Sequence, residues 1–150
     1  MKEPLLDAGL ANMFQTDAKT INIIENLQTG FRLSNGGMVY GPMLVVNNEA
    51  FLLKISPPKQ DASGKVVNPL LLLDPQALAI LDVVTPKPEL VVVGGGARLS
   101  PLSTDAKKYL TSIGLNVELA STRYASSTFN ALSEEGRNVA LLVLPAGVFA

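Results

Sequence analysis

The chain has 150 residues, with 12 basic and 13 acidic side chains and no Lys/Arg cluster, so nucleic acid is not an expected partner. It contains neither cysteine nor histidine, which excludes disulfides, thiolate nucleophiles, Ser-His-Asp triads and Cys- or His-ligated zinc. Hydrophobic residues make up 47% against 17% charged, yet no apolar run is long enough to cross a bilayer, so the excess reads as core plus a protein-binding surface.

Residues 1–20, mixed in character from Met1 to about Lys19, read as an N-terminal arm or short helix, with no visible targeting signal. From residue 21 onward the chain reads as a single α/β domain. Ile21, Ile23 and Ile24 begin a first strand. Phe31 and Leu33 alternate with polar neighbours, and Asn35-Gly36 separates them from Met38 to Tyr40, which predicts a β-hairpin over 31–40. Met43 to Val46 starts another strand, Asn47 to Glu49 turns the chain, and Ala50 to Ile55 continues as a strand. Pro57, Pro58, Gly64 and three charged residues mark 56–68 as an exposed loop, expected to be mobile and tolerant of insertion.

Asp74 and Pro75 predict the capped start of a helix over about Gln76 to Val84, with Ala77, Leu78, Ile80, Leu81 and Val84 on its buried side. Leu90 to Gly96, LVVVGGG, is an apolar run without alternation that ends on three glycines, as expected of a central strand buried on both faces. Ser103 can cap a helix to about Ile113, which Gly114 stops. Asn116 to Leu119 is a strand, Ser126 to Glu135 a helix, and Val139 to Leu144 a second continuous apolar strand. The second half is therefore β-α-β-α-β, which predicts a mixed, largely parallel sheet with right-handed crossovers.

The glycine turn invites comparison with a dinucleotide fingerprint: Gly94 and Gly96 supply two glycines, and Glu118 follows at the spacing of a ribose-binding acid. Leu99 occupies the third glycine position, the helix begins late, and a P-loop lysine is absent. A tight structural turn or a weak anion site is the favoured reading. Arg98 and Arg123 are candidates to meet a carboxylate or phosphate, against a plainer reading as solvated loop arginines. Glu134 and Glu135 are adjacent, about 100° apart on a helix, so they do not form a catalytic pair; one of them is a candidate ion-pair partner of Arg137. Lys54, near a strand end, reads as a surface charge rather than a nucleophile.

Several of these residues recur together in a known order. Gly30-Phe31, Asn35-Gly36, Tyr40-Gly41-Pro42, LVVVGGG, Thr128-Phe129-Asn130 with Leu132, and Glu135-Gly136-Arg137 resemble the family of small mitochondrial complex I assembly factors, the third of the numbered set, and their prokaryotic homologues of unsettled function. The resemblance spans about Ile21 to Pro145. The chain departs from that family in its long 56–68 segment and in the middle glycine of the triplet.

This resemblance implies a compact three-layer α/β fold around a mixed sheet. It also implies a non-enzymatic role without a cofactor, in the mitochondrial matrix or peripherally on the matrix face of the inner membrane. Partners implied in the same way are a second complex I assembly factor and early peripheral-arm subunits. A small-molecule or anion-binding domain that uses the glycine turn is the alternative, and a stand-alone prokaryotic-type domain with another partner is a third reading. Gly94, Gly95, Gly96 and Arg98, with Thr128 and Asn130 early in the last helix, outline the candidate pocket. Phe129 and Leu132 are expected to share that helix's core face.

Overall fold

A computed structural model describes residues 20–55 and 59–148. The expected N-terminal arm lies outside these residues, apart from Thr20. Ten strands are present among them: β1 (Ile23–Asn26), β2 (Gly30–Leu33), β3 (Met38–Tyr40), β4 (Met43–Val46), β5 (Glu49–Leu52), β6 (Lys59–Gln60), β7 (Val66–Val67), β8 (Leu90–Gly94), β9 (Asn116–Ala120) and β10 (Val139–Val143). Three α-helices accompany them: α1 (Ile80–Val83), α2 (Thr104–Ser112) and α3 (Thr122–Glu134).

The main sheet has the order β5-β4-β10-β8-β9. β8, β9 and β10 are parallel, while β4 runs antiparallel to β10 and β5 antiparallel to β4. The α/β class and mixed sheet agree with the sequence reading, although parallel and antiparallel pairings are equal in number. LVVVG is an interior strand, but the middle position belongs to β10. The expected β-α-β-α-β order is present, and β10 lands on the opposite side of β8 from β9. Such a reversal of winding places successive crossover helices on opposite faces.

That arrangement makes three layers. Val91 and Val93, Ala140 and Leu142, and Leu44 and Val46 face α2, Leu70, Leu78 and Leu81 on one side of the sheet. Their alternating neighbours Val92, Leu141, Val143, Met43 and Val45 face α3 and the antiparallel β1-β2-β3 sheet on the other. β4 and β10 are buried at every position, and β8 at all but Leu90. Much of the apolar excess is therefore the interior of a sheet covered on both faces.

Turn chemistry decides the details. The 31–40 hairpin forms with Phe31 opposite Val39. Its loop is longer than a two-residue turn: Leu33 accepts from Gly36 N–H, Gly36 takes the positive φ, and Asn35 Oδ1 accepts from Gly37 N–H. The two-residue hairpin instead joins β4 to β5, where Asn47 and Asn48 both have positive φ and Val46 pairs with Glu49. β5 consequently starts at Glu49 and ends at Leu52, earlier at both ends than expected.

Asp74 caps as expected through Gln76 N–H, but the segment it starts is a 3₁₀ turn (Pro75–Leu78) followed by the single turn of α1. Leu78 and Leu81 are its fully buried residues. Ser103 caps α2, accepting from Ala106 N–H and donating to the Leu73 carbonyl. α3 begins four residues before its expected start. Ser121 is its cap, and Thr122, Ala125 and Phe129 form the buried stripe. A polar Ser-Thr-Arg-Tyr start hid that turn from a reading based on apolar periodicity.

Part of the 56–68 segment is a small hairpin rather than an irregular loop: β6 and β7 pair antiparallel around an exposed turn. Asp61 organises it, its Oδ1 accepting from Ser63 Oγ (2.6 Å), Ser63 N–H (2.9 Å) and Lys65 N–H (3.0 Å).

One crossing ties the layers together. Thr122, fully buried, donates its hydroxyl to the Leu144 carbonyl (2.6 Å) and accepts from Gly96 N–H (2.9 Å). Its own N–H bonds Gly96 O (2.8 Å). A Cβ on Gly94 would lie 2.8 Å from Thr122 Cα and 3.0 Å from the Ala125 methyl, so only glycine lets α3 approach β8 this closely.

Two predictions follow from these contacts. Thr122→Val removes one hydroxyl and leaves a buried N–H and a buried C=O unpaired, costing roughly 2–4 kcal/mol. Gly94→Ala costs roughly 3 kcal/mol by overpacking. Thr122→Ser keeps the hydroxyl and loses less. Urea denaturation of the four proteins checks this; equal midpoints for Thr122→Val and wild type would show that the hydroxyl holds nothing. For the small hairpin, the Ser63 hydroxyl and then the Lys65 N–H hold the Asp61 carboxyl below its ordinary range. A depressed folded value means that this stabilisation is present at neutral pH and is lost as pH falls through the lowered value. NMR titration should show the Ser63 and Lys65 amides moving with Asp61, and the movement absent in Asp61→Asn.

Candidate functional site

The buried glycine turn lies at the carboxyl ends of the parallel strands, where ligands of open α/β sheets gather. An anion cradle requires free backbone N–H groups. Here the Gly95 N–H bonds the Ala120 carbonyl, Gly96 N–H bonds Thr122 Oγ1, and Ala97 N–H bonds the Val148 carbonyl. These three consecutive amides of the turn are used by the protein itself.

The space is used as well. A Cβ on Gly95 would meet Arg98 O at 2.7 Å, and one on Gly96, whose φ is +98°, would meet Val148 O at 2.4 Å. At these points the glycines admit other segments of the chain. Asn68 was not singled out by sequence reasoning, yet its side chain donates to Gly95 O (2.9 Å) while accepting from Leu70 N–H (3.0 Å). An Asn-Pro pair opening an apolar run was the available signal for that cap.

Thr128 and Asn130 are not early in the helix as expected, because α3 starts at Thr122 and carries them to its middle. Asn130 bonds β1 through both amide atoms, accepting from Ile23 N–H and donating to Ile23 O, each at 2.9 Å. It anchors the three-stranded sheet onto α3. Phe129 and Leu132 pack together in the core on that side. Arg123 is exposed in the first turn of α3, and Glu118 is exposed on β9 level with Val92. Arg137 pairs with Glu89 and not with Glu134 or Glu135; Glu134 instead accepts from Asn22. Lys54 is exposed.

Of the candidate set, Gly95 and Arg98 line an open groove, and Arg98 is the exposed member. Arg98 borders a groove of 620 Å³ between the β6-β7 hairpin and the 98–101 segment, together with Asp61, Lys65, Val66, Leu71, Leu99 and Pro101, so the groove carries one carboxylate beside its two cations. Leu99 is 60% exposed, Val66 44% and Leu71 41%, so their apolar surface faces solvent. Neither Arg98 nor Lys65 forms an ion pair with another described residue. Such a surface can receive an apolar side chain with a nearby carboxylate. Leu99, the residue that breaks the dinucleotide fingerprint, is the most exposed apolar side chain in it. Among the described residues no cluster of acidic side chains suited to a metal is present, and no helix is long and apolar enough to cross a membrane.

Solved structures with this fold include a protein from Xanthomonas campestris (TM-score 0.64, 19% identity, covering 97% of this chain and 95% of that one) and a Mth938-like domain from Bordetella pertussis (TM-score 0.58, 22% identity, 98% and 94%). In sequence, the chain is 27% identical over 154 residues to the protein named NADH dehydrogenase [ubiquinone] 1 alpha subcomplex assembly factor 3 of Drosophila melanogaster, covering 93% of this chain and 72% of that protein. It is 31% identical over 116 residues to the protein of the same name in Danio rerio, covering 77% and 59%. It therefore spans only part of each relative's length. These relatives are of the family that the sequence motifs resemble. The chain belongs to the family described as protein of unknown function (DUF498/DUF598), which matches it over residues 24–144.

Proposed function

We propose that this protein is an assembly factor for the peripheral arm of mitochondrial complex I and that it acts by binding other proteins, not by catalysis. The observation that carries this reading is its similarity, over most of its length, to relatives named as complex I assembly factor 3. The absence of His and Cys from the sequence is in keeping with it, because most acyl-transfer and metal-hydrolase chemistry is then unavailable. So is the consumption of the glycine-turn amides by the fold, which removes the observation that favoured an anion-binding domain.

On this reading the protein works in the mitochondrial matrix or peripherally on the matrix face of the inner membrane. Its partners are a second assembly factor and early peripheral-arm subunits. Binding of this kind asks for exposed apolar side chains beside charged groups, and the Arg98 groove supplies Leu99, Val66 and Leu71 beside Arg98, Lys65 and Asp61.

Deletion of the gene from the source organism is expected to lower assembled complex I on native gels while the other respiratory complexes keep their levels, and the wild-type chain should restore it. Normal complex I in the deletion strain would overturn the reading. The double variant Arg98→Glu/Leu99→Asp changes only exposed side chains. It should keep the wild-type melting temperature within about 2 °C and restore complex I poorly; full restoration would remove the groove from the function.

A further inference from the structure

β9 is an edge strand of the main sheet, and its outer side is unpaired among the described residues. The direction of its free groups follows from one hydrogen bond. Ala120 O accepts from Gly95 N–H on the β8 side, and N–H and C=O of successive strand residues point to opposite sides. The polar backbone groups of Val117 and Leu119 therefore point away from the sheet. Beside them runs a second groove, of 730 Å³, between β9 and α2, lined by Leu102, Val117 and Leu119 and rimmed by Lys107 and Lys108. Neither lysine forms an ion pair with another described residue.

We infer that the β9 edge accepts an extended segment of a partner protein as a sixth strand, with apolar and acidic side chains facing α2 and a basic side chain facing Glu118. Main-chain bonds to Val117 and Leu119 supply the affinity, and the alternate side chains supply the choice of partner. Carboxylates on the α2 side meet Lys107 and Lys108. On the opposite face of β9, Glu118 is exposed and forms no ion pair with another described residue.

Charge also argues against a second copy of the chain as occupant. The antiparallel pairing that satisfies both Val117 and Leu119 places Glu118 opposite the Glu118 of the other copy, in the narrow pair where side chains approach most closely. The same two-fold axis brings both α2 helices to one face, so four lysines would converge. A hetero-partner of complementary charge avoids both repulsions. In identifying that partner with a protein handled during complex I assembly, the inference rests on the function proposed above; the chemistry of the edge does not.

The test uses the full chain and a synthetic peptide, Glu-Thr-Ile-Lys-Ile-Thr-Glu, which has the required alternation, with Lys-Thr-Ile-Glu-Ile-Thr-Lys as its charge-swapped control. The first peptide at saturation should slow amide exchange of Val117 and Leu119 at least tenfold by NMR and bind at least tenfold tighter than the control. Lys107→Glu/Lys108→Glu/Glu118→Lys should reverse that preference, and Val117→Pro, which spares the β8 side of the strand, should abolish protection at Leu119. Absence of binding, equal binding of the two peptides, protection located elsewhere, or a β9-dependent homodimer in sedimentation would each overturn the inference. If Val117→Pro fails to fold, the charge-reversed variant decides. In the deletion strain, failure of the wild-type chain to restore complex I counts against the proposed function alone. Restoration by wild type and equally by both variants counts against the β9 edge alone.

Discussion

The structure depends on how closely the start of α3 can approach the end of β8. The Thr122 side chain and backbone together make three hydrogen bonds at that crossing, two that join the start of α3 to Gly96 in the turn after β8 and one that joins it to Leu144 just after β10. The approach is possible because Gly94 has no Cβ. Winding requires it: β10 lies on the far side of β8 from β9, so the connection through α3 must pass directly over β8. Once α3 is placed, Ala125 and Phe129 close the core against Val92 and Val143, and Asn130 holds β1, with its sheet, in the outer layer. Layer order thus follows from a steric allowance of one methyl group.

A glycine-rich turn after a strand has two uses that sequence alone does not separate. In a phosphate-binding loop the missing side chains expose amides to a ligand; here they let Thr122, Ser100 and Val148 come close, and the amides bond to protein groups. The distinction lies in which groups compete for the same N–H donors. Ala120, Thr122 and Val148 reach them from distant points in the chain, held there by the surrounding core, and a bound anion would have to displace them. The surfaces proposed for recognition accordingly lie outside the turn, on the exposed face of the 98–101 segment and at the edge of β9, where side chains and backbone groups still face water.

The apolar composition divides along the same line. Buried strands β4, β8 and β10 absorb much of it, since a sheet covered on both faces has no polar alternation. The remainder includes Leu99, Leu71 and Val66, exposed beside Lys65 and Arg98. Hydrophobic side chains left in water next to charged groups do little for folding and are suited to contact with another protein.

Much of the fold was legible in the residues. Local rules sufficed for the strands that are buried on both faces, for the Ser103 and Asp74 caps, for the Gly114 stop and for the β-α-β-α-β order, because each depends on neighbours within a few positions. They also recognised LVVVGGG as a strand and tight turn, and distinguished it from a nucleotide fingerprint by Leu99. Local rules did not show that β10 would take the middle of the sheet, that α3 would begin at Thr122, or that Asn130 would serve β1 instead of the glycine turn. Those outcomes depend on which segments, tens of residues apart, arrive at the same place. The candidate site was legible only in part for that reason: local residue order is enough to make the glycine turn and Arg98 one unit, whereas the bonding of the Gly95, Gly96 and Ala97 amides within the protein, with Arg98 left open to solvent, comes from packing between distant segments, which allots the hydrogen-bond donors.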